Sequence, residues 1–336
     1  MWAAVQGARY HRWAVPTLRV RPPTFLLLCR ISLATIVLNV VTGAAVRLSD
    51  SGLGCPDWPT CAHRSLTPPA SLHPVVEFGN RVVVSALVVT CAVTYVASFL
   101  RPPARRDLRW LSGGLVLGVL SEAVLGGVVV YTKLNAYVVM IHFLVGIALL
   151  TVSVVLCLRA GHGPGRGSPV VERRVLLLTR AELVLLACAL AAGTATTGAG
   201  PHAGGKGAKR VDIGLADMSR LHAEVVWVTV IGLLAILWTL WRSDAPVRVQ
   251  QSGRVLLGAM VAQGFVGYLQ YATHLPAVLV GVHVLGATLV WSTALWFHHG
   301  LSDHRPESVG GDDPVPVDGA ALAAPVGPTS PVPEPA

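Results

Sequence analysis

His283 interrupts an otherwise apolar run, Ala277–Leu295 (AVLVGVHVLGATLVWSTAL). An imidazole in such a run belongs at membrane depth, where ionisable groups are rare and are functional candidates by default. Gly286 follows at i+3 on the same helix face, leaving room for a flat ligand. The arrangement recurs around His142 in the first half of the chain. Gly126 precedes His142 at the same interval as Gly267 precedes His283, and Glu122 corresponds to Gln263 in the same gapless register. The same histidine twice, in the same surroundings, argues for two copies of one binding unit.

Two further positions complete a set of four. Asn80 pairs with His142 and His222 with His283, at nearly equal separations along the chain. Each lies a few residues inside an apolar span that starts on the outer side. At 1.5 Å per residue this is about 6–10 Å below the boundary. Two imidazoles on separate helices at one depth can hold haem iron on both axial sides. A bare transition metal held by them alone lacks ligands. In the first half Asn80 stands where the partner would be, and its amide is a poor iron ligand. The second half therefore reads as built to keep a haem, and the first as leaving one side of a ligand open.

Other groups carry chemistry with less commitment. Glu77 and Arg81, in EFGNR, share a helix face at i and i+4; they make either an interfacial ion pair or a carboxylate beside a ligand's reactive edge. Glu122 needs a partner or a proton at its depth, serving either helix packing or proton handling. Cys55 and Cys61 face the oxidising side, where a disulfide forms readily; a structural clip and a redox thiol pair both remain open. Their spacing is neither a CxxC pattern nor a CxxCH haem attachment. The basic cluster Lys206, Lys209 and Arg210 meets water or an acidic group. Asp217 and Ser219 are expected to cap the sixth span. His298 and His299, at the inner boundary, are not expected to carry a cofactor.

The elements that must position these groups are membrane helices. The 336 residues are 53% hydrophobic and 13% charged, with mean hydropathy +0.61, where soluble domains carry about 25% charge. Eight spans are expected: 25–46, 75–99, 108–130, 137–158, 175–197, 218–241, 253–272 and 276–297. Arginines concentrate before the first span and in the second, fourth and sixth connections, placing both termini in the cytoplasm. The net charge of +9 therefore reflects orientation and does not point to nucleic acid. The chain divides into a basic segment 1–24, a four-helix half 25–158, a linker 159–174, a second half 175–297 and a Pro- and Ala-rich tail 298–336 read as disordered.

The outer loop GAAVRLSDSGLGCPDWPTC (Gly43–Cys61), the EFGNR run, the segment from Glu122 to His142, and His222 with His283 together resemble the heme A synthase family. The resemblance covers about 25–297 and excludes both tails. It implies an all-α polytopic membrane protein, eight transmembrane helices in two pseudo-twofold-related four-helix bundles. It implies oxidation of the C8 methyl of heme O to the formyl group of heme A, through successive hydroxylations. Carried over residue by residue, His222 and His283 would ligate a b-type haem (heme b) and His142 the substrate heme, with Asn80 and Arg81 beside it. Glu77 matches the catalytic glutamate and Cys55–Cys61 the loop disulfide. Histidine is usual where Asn80 stands, so double histidine ligation of the substrate is in question. The implied partners are heme O, membrane lipid, a heme O-making enzyme and an electron donor.

Two rivals use the same features. A di-haem carrier of the cytochrome b kind needs the histidines but neither Glu77 nor an open ligand position. A transporter can also be built from four-span repeats.

Overall fold

Lipid offers no hydrogen bonds to a backbone, so an apolar run that crosses it must be helical. The computed structural model contains eight such helices: α1 (Pro22–Leu48), α2 (Leu72–Leu100), α3 (Arg106–Tyr131), α4 (Ala136–Ala160), α5 (Arg173–Ala199), α6 (Leu215–Arg242), α7 (Val247–Ala272) and α8 (Ala277–Gly300). All are long and apolar enough to span a membrane, and the chain is a multi-pass membrane protein. The structure describes residues 18–55, 57–58, 60–61, 67–165, 167–202 and 208–304. Most of the basic segment, with Arg9 and Arg12, lies outside these, as do Arg64, Lys206 and the tail from 305 onward.

The helices match the expected spans but run past them. The largest extension is at α7, which begins at Val247 rather than 253, because its polar first turns satisfy their backbone within the helix. Pro22 sits in the first turn of α1, and Pro246 and Pro276 are the N-caps of α7 and α8. The expected caps of α6 are corrected: Gly214 is the N-cap and makes no side-chain cap bond, while Asp217 and Ser219 lie within the helix. Large apolar side chains such as Val89, Leu117 and Phe265 face outward. Small polar ones, Ser32, Ser112, Ser153, Thr179, Thr229 and Thr288, are buried between helices, as close packing in lipid favours.

Within each half every helix packs on its sequence neighbours, and the first packs on the fourth: α1–α2–α3–α4–α1 and α5–α6–α7–α8–α5. The halves meet through α1 on α8, α4 on α5, and α4 on α8. This neighbour pattern is unchanged when each helix is exchanged for the one four places along. The repeat extends to backbone detail. After α3, the amides of Thr132, Lys133 and Leu134 donate to the carbonyls of Val128, Val130 and Val129; after α7, Thr273, His274 and Leu275 donate to Leu269, Tyr271 and Gln270. Lys133, Leu134, His274 and Leu275 all have positive φ. That strained helix ending is thus reproduced residue for residue in the register that aligns His142 with His283.

At the arginine-rich end, Ser168–Pro169 (β1) pairs antiparallel with Ser302–Asp303 (β2). The expected tail therefore begins as ordered chain, with α8 running through Gly300 and Leu301 fully buried.

Candidate functional site

Each of the four stations sits on an even-numbered helix and faces a glycine of the preceding odd-numbered one. A Cβ built on Gly43 would stand 4.0 Å from Asn80 Oδ1, and one on Gly126 3.9 Å from His142 Cε1. On Gly193 and Gly267 it would stand 3.1 Å from Cε1 of His222 and His283. The sequence pattern reveals two of these glycines; Gly43 and Gly193 emerge only in the fold. The space beside Gly286, expected to admit a flat ligand, is instead taken by the side chain of Gln263.

In the second half the two imidazoles come together. The ring centres of His222 and His283 are 6.4 Å apart and the planes are 82° to one another. With metal–imidazole bonds of about 2.0 Å, trans nitrogens lie about 4 Å apart and the ring centres roughly 6.3 Å apart. The observed spacing fits one iron between them. His222 Nδ1 is 3.0 Å from the Ala189 carbonyl, which orients the ring and leaves Nε2 available to a ligand. The His283 carbonyl accepts a 2.7 Å bond from Gln263 Nε2, while its Nδ1 is buried without a partner. Among the described residues no three His, Cys, Asp or Glu side chains group as a metal site. A metal here must bring its own equatorial ligands, as a porphyrin does.

The first half differs in two places. Asn80 Oδ1 accepts a 2.8 Å bond from Thr42 Oγ1. The remaining capacity of its side-chain nitrogen is to donate, not to ligate iron. His142 Nδ1 lies 3.1 Å from Glu122 Oε2. Glu122 thus stands beside a ring, whereas Gln263, at the matching position, holds a backbone carbonyl.

Above the first half, the outer loop is tied to α2. Cys55 and Cys61 are disulfide-bonded. Glu77 is buried; its Oε1 pairs with Arg81 at 2.6 Å and its Oε2 accepts the Cys55 amide at 2.8 Å. Arg81 also donates to the carbonyls of Cys55, Asp57 and Thr60. The loop lays Trp58 against α3: a Cβ on Gly127 would meet its indole at 3.2 Å. Gly127 adjoins Gly126, which faces His142, so the loop reaches the helix that backs this station. Nothing in the sequence pattern singles out Thr42. Trp58 lies within the CPDWP motif, but the contact joining it to the site is visible only in three dimensions.

The profile of the cytochrome oxidase assembly protein family matches residues 26–204, more than half of the chain. The chain belongs to the cytochrome oxidase assembly protein family. It is 36% identical over 107 residues to a heme A synthase of Geobacillus thermodenitrificans, covering 31% of this chain and 33% of the relative. Over 149 residues it is 33% identical to a heme A synthase of Shewanella oneidensis, covering 39% and 44%. Over 135 residues it is 35% identical to one of Symbiobacterium thermophilum, covering 39% and 42%. The matches thus span about a third to less than half of these relatives' length. The resemblance drawn from the outer loop stands. The cytochrome oxidase assembly profile covers α1 to α5 and ends at 204, before His222 and His283. Those two histidines are supported by the matched station spacing of the repeat and by the 6.4 Å between their ring centres.

Proposed function

We propose that this chain is a heme A synthase of the cell membrane, oxidising the C8 methyl of heme O to the formyl group of heme A for a terminal oxidase. The observation that carries the reading is the asymmetry between halves: two imidazoles 6.4 Å apart in the second, and one imidazole opposite a Thr42-bound asparagine in the first. A pure electron carrier has no use for that difference.

In this reading the halves are two pseudo-twofold-related bundles, 25–158 and 175–297, joined by the linker 159–174, with both termini cytoplasmic. His222 and His283 hold a b-type haem, which when bound supplies one-electron transfer to the first half. His142 holds the substrate heme from one side. Glu122, 3.1 Å from Nδ1 of that ring, is placed to orient it and to strengthen its electron donation once the other nitrogen binds iron. Asn80 offers its NH₂ to water or to a polar group of the substrate. A carboxylate has about four acceptor sites, more than the bonds from Arg81, Cys55 and Gly54 use on Glu77, so it can accept a proton as the methyl carbon loses hydrogen. The loop places Trp58 against Gly127, beside the glycine that faces His142. The reaction further calls for heme O delivered through lipid or by its producing enzyme, and for an electron donor.

The deciding experiment is expression in cells supplied with heme O, followed by haem extraction and chromatography. Heme A is expected from the intact chain and not from Glu77→Gln, with the second-half haem retained in both. Haem b alone, with no heme A, would favour the electron carrier. A purified protein without Soret absorbance would favour the transporter.

A further inference from the structure

The arginine-rich end of the bundle holds a second constellation that the haem chemistry does not use. A cavity of about 190 Å³ opens there, lined by Arg105, Arg159, His162, His299 and His304, together with Ser302 and loop glycines. It straddles the halves: the arginines and His162 come from the α3–α4 side, His299 and His304 from the end of α8. The β1–β2 pairing and the bond from Val170 N to Leu301 O fix its rim. The described lining residues include no carboxylate. Asp107 stands behind the wall, bound by Arg105 at 2.8 and 2.9 Å and 3.9 Å from Arg159, so it offsets part of the charge. Arg105 also donates to the carbonyls of His162 and Arg159 and acts as the scaffold. Arg159, its side chain half exposed, remains able to turn toward a ligand.

The imidazoles are not arranged for a metal. His299 and His304 stack at 3.9 Å with planes 5° apart, so their nitrogens do not converge. His162 Nδ1 is committed to the Leu158 carbonyl at 2.7 Å, and His304 Nε2 lies 3.2 Å from the His299 carbonyl. The Nε2 of His299 is buried and lacks a partner. What the cavity offers is the half-exposed guanidinium of Arg159 and an unpaired imidazole nitrogen of His299 beside His162, a set that suits an anion with several acceptor oxygens. Its volume is several times the ~30 Å³ share of a water molecule, room for a phosphate group but not for a porphyrin. It sits where the membrane helices end, the level at which basic pockets between helices take phospholipid headgroups.

We propose that this cavity is a phosphate-binding site that clamps the two halves together through Arg159, His162 and His299, taking the headgroup of an anionic phospholipid or free phosphate.

The test uses the full-length protein in neutral detergent, with unfolding followed by tryptophan fluorescence at constant ionic strength. It is titrated separately with phosphatidylglycerol, phosphatidylcholine and inorganic phosphate. A saturable rise in unfolding midpoint with phosphatidylglycerol alone assigns the lipid headgroup. An equal rise with inorganic phosphate assigns the free anion. In either case Arg159→Gln is expected to weaken the response about tenfold, and Arg159→Lys to retain part of it. If Arg159→Gln is already less stable without ligand, His162→Gln takes its place as the reporter. No saturable rise with either phosphate source, or unchanged responses in both variants, would overturn the proposal. Haem content and heme A production are read separately, so failure here leaves the synthase reading untouched.

Discussion

Gly193 on α5 lies so close to His222 on α6 that a Cβ would stand 3.1 Å from the imidazole Cε1, and Gly267 on α7 bears the same relation to His283. An alanine at either position must displace the ring by a few tenths of an ångström, because the helix backbone cannot yield. Gly193→Ala and Gly267→Ala are expected to lower haem retention in the second half about 10–100-fold, the usual range for disturbing a ligand's support. A Cβ on Gly264, also on α7, would point into open space. Gly264→Ala should keep the haem and gain up to about 1 kcal/mol from helix propensity. Soret absorbance per protein after purification reads haem retention in all three variants, and thermal unfolding reads the stability of Gly264→Ala.

Arg81 is a heavier anchor of the outer loop than the disulfide. The disulfide closes a short loop, with a sequence separation of 6, and such closure stabilises by about 2 kcal/mol. Arg81 holds three loop carbonyls and balances a buried carboxylate. Removing one partner of such a pair costs about 3–5 kcal/mol. Arg81→Ala should therefore expose the loop to protease more than Cys55→Ser does. Arg81→Lys should fail to rescue, since an ammonium lacks the planar fork. Limited proteolysis of the three variants measures the order, and a larger effect from Cys55→Ser would reverse the assignment.

Glu122 separates the two halves chemically. Its carboxylate stands 3.1 Å from His142 Nδ1, placed to accept the hydrogen bond of that nitrogen once the ring's other nitrogen binds iron, whereas the matching neighbour of His283 is the amide of Gln263. If His142 holds the substrate heme as proposed, Glu122→Gln should weaken heme O binding about 10–100-fold and raise the midpoint potential of that heme. The second-half potential should not move. Redox titration of the doubly loaded protein checks both at once; a shift confined to the second half would contradict this assignment.

How far the sequence could reach is shown by the four glycines. Gly126 and Gly267 stand at the same interval before their histidines because each pair is joined by the same tight turn, so the contact has a fixed register in the sequence. Gly43 and Asn80 are separated by the long disulfide loop, and Gly193 and His222 by the basic loop; across these no periodicity carries register. The helices themselves were legible because membrane spans obey a length and hydropathy rule. The stations were legible because an imidazole in an apolar run is costly. The Thr42–Asn80 bond, Trp58 on Gly127 and the grip of Arg81 on loop carbonyls join distant segments through side chains common in any protein. The cavity at the arginine-rich end is hidden from the sequence for a related reason: His162 follows α4 while His299 and His304 stand at the end of α8, and the packing of α4 on α8 with the β1–β2 pairing gathers them.

Asn80→His tests the asymmetry directly. The new imidazole would stand on α2, beside Gly43, at the station that corresponds to His222. It would forgo the bond from Thr42 Oγ1 to Asn80 Oδ1, a cost of about 1 kcal/mol. If the open position on the substrate is what the first half requires, the variant should bind heme O more tightly, give the spectrum of a heme ligated on both sides, and lose heme A production. Absorption and magnetic circular dichroism report the ligation, and chromatography reports the product. If the variant binds with two imidazoles and still makes heme A at the normal rate, the open position is not what the reaction depends on. The role of Asn80 would then reduce to its contact with Thr42.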